Sequence, residues 1–309
     1  MTEVLIVGSG NVGACTAQTL ALDGRFDRIH LTDKRLARAQ AECWDLMTAL
    51  PRFGCSSQVV AQELAACVHA DAAVICAAAP ARLGQTRNDM FIKNADIVAS
   101  IISELETAGF RGMYVMVTNP VDLLVWYAID RLGVPRERIV GTGTVLDTMR
   151  LEDAISMRFD RPLSSVSALA LGEHGEGLVV DWDATFVDGQ RIDHEESDTL
   201  RRQAIDMAYN IVKGKGSTSY GIALAVQRTL GAWLERIGQV LPLSIPACGA
   251  YGLDSIALSL PATFDSHGVP VAAEIDLGPD ALASLRATGD SMIAVYNDAV
   301  SALQEREDC

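Results

Sequence analysis

Gly8-Ser9-Gly10-Asn11-Val12-Gly13 is the stretch on which the fold turns. As a bare G-x-G-x-x-G it is a weak signal, but its setting is specific. The apolar run Val4–Val7 reads as a buried strand before it, and Val12–Leu22 reads as a helix of small and apolar residues after it. In that setting each glycine has its own reason. Gly8 permits the tight turn, Gly10 lets backbone approach a pyrophosphate, and Gly13 lets the helix pack on the strand. Asn11 and Val12 open the helix, whose first N–H groups have no intrahelical acceptor and carry partial positive charge toward a phosphate.

Working outward, Ile29–Thr32 reads as the second strand and ends beside Asp33, 20 residues past Gly13. A carboxylate there accepts ribose hydroxyls and repels a 2′-phosphate, so NAD is favoured over NADP, although Lys34 and Arg35 follow directly. Ala72–Cys76 reads as the third strand, Phe91–Glu106 has helical periodicity, and Met113–Val117 and Ile139-Val140 read as further strands. Strands that are apolar throughout, alternating with helices, imply a doubly wound α/β parallel sheet covered on both faces. Near residue 143 the pattern changes. A helix at Val145–Met157 is followed by alternating runs at Val166–Leu171 and Leu178–Val187, and by a polar stretch from Asp188 to Asp198. Two helical patterns then flank Lys213–Gly216, with strand-like runs at Val240–Ile245 and Ser255–Leu260 and a closing helix at Asp280–Ser301. The expected organisation is a Rossmann domain over 1–142 and an α+β substrate-binding domain over 143–309.

Charge narrows the class. The net charge is −15, carried as −2 by residues 1–142 and −13 by residues 143–309. That balance excludes a nucleic-acid binder held by phosphate contacts and argues against docking on an anionic membrane. No apolar run reaches the ~20 residues needed to span a bilayer. Seven cysteines, without a CxxC spacing, and five histidines, none spaced with Cys as a ligand set, point to a reduced, cytoplasmic protein with no metal site.

Candidate chemistry lies in four further segments: Arg82-Leu83-Gly84-Gln85-Thr86-Arg87, Val117-Thr118-Asn119-Pro120-Val121-Asp122, Gly141-Thr142-Gly143-Thr144-Val145-Leu146-Asp147-Thr148-Met149-Arg150 and Leu171-Gly172-Glu173-His174-Gly175. Asp147 and Arg150 are three apart on one helix and project from one face. Arg150 has the planar fork for a carboxylate, and Asp147 would orient an imidazole and favour its charged form. His174 sits in a glycine-flanked turn with the chemistry to exchange a proton with a hydroxyl or carbonyl. The same residues also read as a helix-surface ion pair and a structural loop histidine, and spacing alone leaves both readings open.

In order and wording these segments resemble the lactate/malate dehydrogenase family. The likeness continues through Lys213-Gly214-Lys215-Gly216-Ser217-Thr218-Ser219-Tyr220-Gly221 and Leu258-Ser259-Leu260-Pro261 and covers essentially the whole chain. The second half looks most like the L-2-hydroxyisocaproate and lactate dehydrogenases. The resemblance implies reversible hydride transfer between NADH and a 2-oxo acid. It casts His174 as acid/base, Asp147 as its orienting partner, Arg150 as the grip on the substrate carboxylate and Arg87 as the group that polarises the carbonyl. It places Asn119 against both substrate and nicotinamide. It also implies a homotetramer, or a homodimer as in many malate enzymes.

Specificity in the family is set largely before Arg87 and on the helix bearing Thr218. Alignment on Gly84 and Arg87 puts Ala81 at the discriminating position, where malate dehydrogenases carry Arg and lactate dehydrogenases Gln. Without a cation there, a second carboxylate would be buried unpaired, so a monocarboxylic substrate such as pyruvate or 2-oxoisocaproate is expected. The competing reading has Arg82 swing inward and bind the second carboxylate of oxaloacetate. Another class of reading, a non-catalytic nucleotide-binding protein, shares the fold but has no use for His174, Asp147, Arg150, Arg87 and Asn119 together.

Overall fold

The computed structural model describes residues 1–80, 87–236 and 238–307. The first half runs β1 (Glu3–Val7), α1 (Asn11–Asp23), β2 (Arg28–Thr32), α2 (Leu36–Ala49), β3 (Gln58–Ala61), β4 (Ala72–Ile75), α3 (Arg87–Ala108), β5 (Met113–Met116), α4 (Val121–Asp130) and β6 (Ile139–Gly141). It continues with α5 (Val145–Phe159), β7 (Val166–Ser167), β8 (Ala170–Gly172), β9 (Leu178–Val180), β10 (Phe186–Val187) and β11 (Gln190–Arg191). The chain closes with α6 (Ser197–Lys215), α7 (Tyr220–Glu235), β12 (Leu241–Pro246), β13 (Ala257–Phe264), β14 (Pro270–Ala272) and α8 (Pro279–Glu307).

The main sheet has the order β3-β2-β1-β4-β5-β6-β12-β13-β8-β9, with β14 added on β13. From β3 to β6 every pairing is parallel, and from β6 onward every pairing is antiparallel. The parallel part has the doubly wound order in which a dinucleotide lies across the point where strand order reverses, here between β1 and β4. Its strands are apolar on both faces because helices cover both. Val4, Leu5, Ile6 and the whole of Ala72–Ile75 are buried. The carboxyl ends of β1, β2, β4, β5 and β6 lead directly into Gly8, Asp33, Ala77, Asn119 and Thr142, so one edge of the sheet collects the motif residues.

Three expectations need correction. Gln58–Ala61 forms a parallel edge strand between the two read as second and third. It is four residues long and opens on an exposed Gln58, too short and too polar at its start to stand out by periodicity. Val166–Leu171 is not one strand. The Ala170 carbonyl accepts from Thr144 Oγ1 at 2.6 Å and its N–H donates to Thr148 Oγ1 at 3.1 Å. Side chains of α5 thus occupy the backbone groups that a continuous ladder would use, and β7 leaves for a separate sheet with β10 and β11. Leu178–Val187 breaks likewise at Asp181. Its Oδ1 accepts from the Asp183 amide and its Oδ2 from the Gly278 amide, both at 3.1 Å, fixing a single turn over Trp182–Ala184. The polar stretch after Asp188 contains the short β11 and one helical turn at His194–Glu196.

Candidate active site

The glycine turn behaves as the sequence reading requires, each position for a different cause. Gly8 has φ +102°, a left-handed conformation, and a Cβ there would sit 2.7 Å from the Ala77 amide nitrogen. A Cβ on Gly13 would overlap the Gly8 carbonyl oxygen. Gly10 is different. Its φ of −72° suits any residue, and a Cβ would meet only Arg38, 4.0 Å away. Nothing in the fold asks for glycine at position 10. An incoming ligand does, because the bare backbone there caps α1 without a side-chain hydrogen bond and leaves the helix amides at Asn11 and Val12 open to an anion. The cradle therefore fits a dinucleotide pyrophosphate.

Asp33 completes it. Its Oδ2 accepts from the Ser9 amide and the Ser9 hydroxyl, each at 2.9 Å, and Oδ1 accepts from the Arg35 amide at 3.0 Å. Partial burial works against ionisation. The Arg35 and Ser9 donors and the nearby charge of Arg38 outweigh it, and the carboxyl is held below the usual range. Asp33 is thus an ionised acceptor tied to the phosphate turn.

A second turn presents His174. Gly172 and Gly175, with φ +83° and +118°, bend the β8–β9 hairpin around Glu173 and His174. The threonine bonds from α5 to Ala170 lock the first turns of that helix against β8, and this brings Asp147 to the hairpin. His174 Nδ1 lies 2.5 Å from Asp147 Oδ2, and Arg150 lies 3.5 Å from Asp147 Oδ1. Asp147 and Arg150 are almost fully buried, with side chains 5% and 6% exposed, so a helix-surface ion pair is excluded; His174 keeps 26% of its side chain open. With Nδ1 turned to the carboxylate, Nε2 is the ring nitrogen left to exchange a proton.

Charge follows geometry. Asp147 raises the His174 pKa, and this outweighs burial, which lowers it; Asp122 adds to the rise and Arg150 opposes it. Burial alone would raise Asp147, but His174 and Arg150 hold it below its ordinary value. Desolvation lowers Arg150, against the pull of Asp147. Two carboxylates therefore favour an imidazolium in a largely buried setting.

Asn119 lies three residues beyond β5 and is exposed, joined to Pro120 by a cis peptide bond. Thr118 Oγ1 anchors that corner on the carbonyls of Ile75 at 3.1 Å and Ala77 at 2.9 Å. Thr218 is half-buried in the connection between α6 and α7, and this connection reaches the cradle through Ser217, whose Oγ accepts from Asn11 Nδ2 at 3.0 Å. Ala81 and Arg82 lie outside the described residues, as does the side chain of Arg87, whose backbone opens α3.

Asn94 was missed from sequence, and Asp122 was quoted at the end of a candidate segment without a role. Asn94, buried on α3, takes the Ala79 amide on Oδ1 at 2.8 Å and gives Nδ2 to the Asn119 carbonyl at 2.6 Å. It ties the segment after β4 to the corner after β5. Asp122, at the start of α4, accepts the His174 backbone N–H at 3.1 Å. The only sequence sign of Asn94 was a polar residue inside a run otherwise destined for the core.

Comparison with known proteins places the chain in a family. Residues 2–141 match the model of the lactate/malate dehydrogenase NAD binding domain, and residues 144–302 that of the lactate/malate dehydrogenase alpha/beta C-terminal domain. The chain is 33% identical over 307 residues to L-lactate dehydrogenase 1 of Lactobacillus johnsonii, covering 96% of this chain and 95% of that one. It is 31% identical over 309 residues to an L-lactate dehydrogenase of Streptococcus thermophilus, covering 96% and 94%. Among solved structures, the minor L-lactate dehydrogenase from Enterococcus mundtii superimposes with a TM-score of 0.90 at 30% identity, over 96% and 98% of the two chains. The malate dehydrogenase from Salinibacter ruber does so at 0.90 and 25% identity, over 99% and 100%. With both family models matched across nearly its whole length, the chain belongs to the lactate/malate dehydrogenase family, and its first half is that family's NAD-binding domain.

Proposed function

We propose that this chain is an NAD-dependent L-2-hydroxyacid dehydrogenase that interconverts a monocarboxylic 2-oxo acid and its L-2-hydroxy acid. The observation that carries the reading is the buried Asp147 carboxylate, 2.5 Å from His174 Nδ1 and 3.5 Å from Arg150. It sets a proton donor and a carboxylate-binding cation side by side. The overall reaction is 2-oxo acid + NADH + H⁺ ⇌ L-2-hydroxy acid + NAD⁺. NADH bound on the glycine turn supplies the hydride. His174 gives its Nε2 proton to the carbonyl oxygen as negative charge develops there, and recovers one in the reverse direction. Asp147 keeps the ring oriented and favours its charged form. Arg150 holds the substrate carboxylate in a two-pronged grip. Arg87 polarises the carbonyl, a role that rests on resemblance.

Within this reading residues 1–142 hold the cofactor and residues 143–309 supply the acid/base pair and the substrate grip. The substrate is a 2-oxo acid with an apolar side chain, pyruvate or a longer one such as 2-oxoisocaproate. Support comes from Ala81 in place of a cation and from the L-lactate dehydrogenases among the relatives above 30% identity. Trp44 and Phe53, each 68% exposed, favour a homo-oligomer, a tetramer or a dimer. We place the protein in the cytoplasm from its cysteine pattern; no helix among the described residues is long and apolar enough to cross a membrane.

Loss of NADH absorbance with pyruvate, 2-oxoisocaproate and oxaloacetate tests the reading. The expected result is a kcat/KM for one of the monocarboxylic acids at least about tenfold above that for oxaloacetate, in line with the cost of burying an unpaired charge. Preference for oxaloacetate would move the assignment to a malate enzyme using Arg82. Turnover of none would leave a nucleotide-binding protein.

A further inference from the structure

The chain leaves His174 along a return limb, Gly175–Leu178, and that limb is gripped by a cation the proposed chemistry does not use. Arg201, half-buried on α6, donates from Nη2 to the Glu176 carbonyl at 2.5 Å and from Nε to the Leu178 carbonyl at 2.7 Å. A planar guanidinium takes two oxygens at once, which a point charge on a flexible stem does not. Packing explains the placement. Leu200 and Ala204 of α6 share one buried cluster with Leu151 and Ile155 of α5 and with Leu178 and Val180 of β9. That contact lays α6 along the hairpin and brings the flanking Arg201 beside the turn.

Helix α6 also reaches the turn through the Glu176 carboxylate, and the two kinds of contact differ in weight. Arg202 Nη1 lies 3.3 Å from Glu176 Oε2, and the Tyr209 hydroxyl lies 3.3 Å from Oε1. Arg202 and Glu176 are each about half exposed, so water screens the pair and it holds little. The Arg201 bonds end on main-chain oxygens and therefore fix the path of the chain itself. Inside the turn the backbone bonds are long: the Glu173 N–H donates to the Gly177 carbonyl and the Leu178 N–H to the Gly175 carbonyl, each at 3.2 Å.

We propose that Arg201 is a positioning residue for His174, clamping the return limb of the turn to α6 and so fixing where the backbone presents the imidazole. The proposal deepens the dehydrogenase reading and rests on it for its catalytic meaning. Asp147 orients the ring, whereas Arg201 holds the chain just beyond it. Gly175, left-handed with φ +118°, is the joint between the two. With the clamp gone the limb is free to swing about that joint. Nε2 then spends less time within reach of the substrate oxygen, and the rate falls although Asp147 still faces the ring. NADH on the glycine turn does not depend on this limb, so its binding is unaffected.

The test compares the full-length wild type with Arg201→Ala, Arg201→Lys and Arg202→Gln. Hydrogen exchange followed by NMR reads the clamp at the Glu173 and Leu178 amides, which bond across the turn. Both should exchange at least about tenfold faster in Arg201→Ala and stay near wild type in Arg202→Gln. With the best-used 2-oxo acid, kcat per folded molecule should fall by about 10- to 10²-fold in Arg201→Ala, with KM for NADH within about twofold of wild type. Arg201→Lys keeps the charge without the fork and should show both changes to a smaller extent. A merely structural arginine would lower Tm and the yield of folded protein while leaving kcat per folded molecule in place, and that result would overturn the proposal. Unchanged exchange at the two amides would overturn it as well. Should Arg201→Ala not fold, Arg201→Lys decides, and wild-type exchange and kcat in that variant would sink the idea. Exchange needs no turnover, so a protein that reduces no 2-oxo acid would fail the functional reading while the clamp is still decided at Glu173 and Leu178.

Discussion

In the proposed reaction two glycine-flanked turns share the work, and they use glycine in opposite ways. At Gly8–Gly13 the working groups are backbone N–H groups at a helix start, and glycine clears side chains away from them. At Gly172–Gly175 the working group is a side chain, and glycine only bends the hairpin that presents His174. The first turn is held among the ends of parallel strands, with Asp33 after β2 bonded to Ser9 and Ala77 after β4 packed against Gly8. The second is held by helices, through Asp147 on α5 and Asp122 on α4. A backbone site is carried by geometry that short spacing encodes. A side-chain site is carried by partners that only the folded sheet brings together.

The largest separation of the two turns comes from His174→Gln. Glutamine keeps polarity and removes the proton exchange, so kcat should fall by about 10³-fold, within the range of general acid–base catalysis, while NADH binding followed by fluorescence stays near wild type. Loss of NADH binding in that variant would show that the turns are not independent. The converse change is Gly10→Val. The backbone at Gly10 accepts any residue and a Cβ there meets only Arg38, so the protein should fold with an unchanged Tm. Yet the side chain stands where the pyrophosphate approaches, and Kd for NADH should rise by roughly 10²-fold, a loss of about 2.7 kcal/mol. A Gly10→Val protein that binds NADH normally would mean that the dinucleotide lies elsewhere.

How much of this was legible in the sequence follows the same division. The strand-turn-helix around Gly8–Gly13 and the carboxylate at Asp33 were readable because each is within a few residues of the element that positions it. Asp147 and Arg150 were readable as neighbours on one helix, but their burial was not, since it depends on Thr144 and Thr148 stitching α5 to Ala170. The pairing with His174, 27 residues away, came from resemblance. The contacts of Asn94 and Asp122 stayed hidden because their partners are the backbone groups of Ala79, Asn119 and His174. A backbone acceptor or donor leaves no mark in an amino-acid sequence.

Asn94→Ala probes the seam between the strands feeding the first turn and the corner that bears Asn119. It removes the shared partner of the Ala79 N–H and the Asn119 C=O, and a hydrogen bond of this kind contributes about 0.5–1.5 kcal/mol. Thermal denaturation should register a drop in Tm, and kcat should fall roughly tenfold as Asn119 loses its anchor. An unchanged rate would mean that Thr118, bonded to Ile75 and Ala77, holds the corner alone.

The smallest expected effect is the most selective. In the proposed reading Asp33 both ties the glycine turn together and selects the cofactor, and two variants separate these roles. Asp33→Asn keeps an acceptor for Ser9 and removes the charge, whereas Asp33→Ala removes both. In Asp33→Asn the repulsion of a 2′-phosphate is gone, and Arg38, which now faces Asp33, is left to attract it. The ratio of kcat/KM for NADH to that for NADPH should narrow by roughly five- to tenfold, about 1–1.4 kcal/mol, with little change in KM for NADH. In Asp33→Ala the same narrowing should come with a higher KM for NADH, because Ser9 loses its acceptor and the turn its tie to β2. Equal behaviour of the two variants would show that the turn holds its shape without Asp33, and that the cradle depends on its glycines alone.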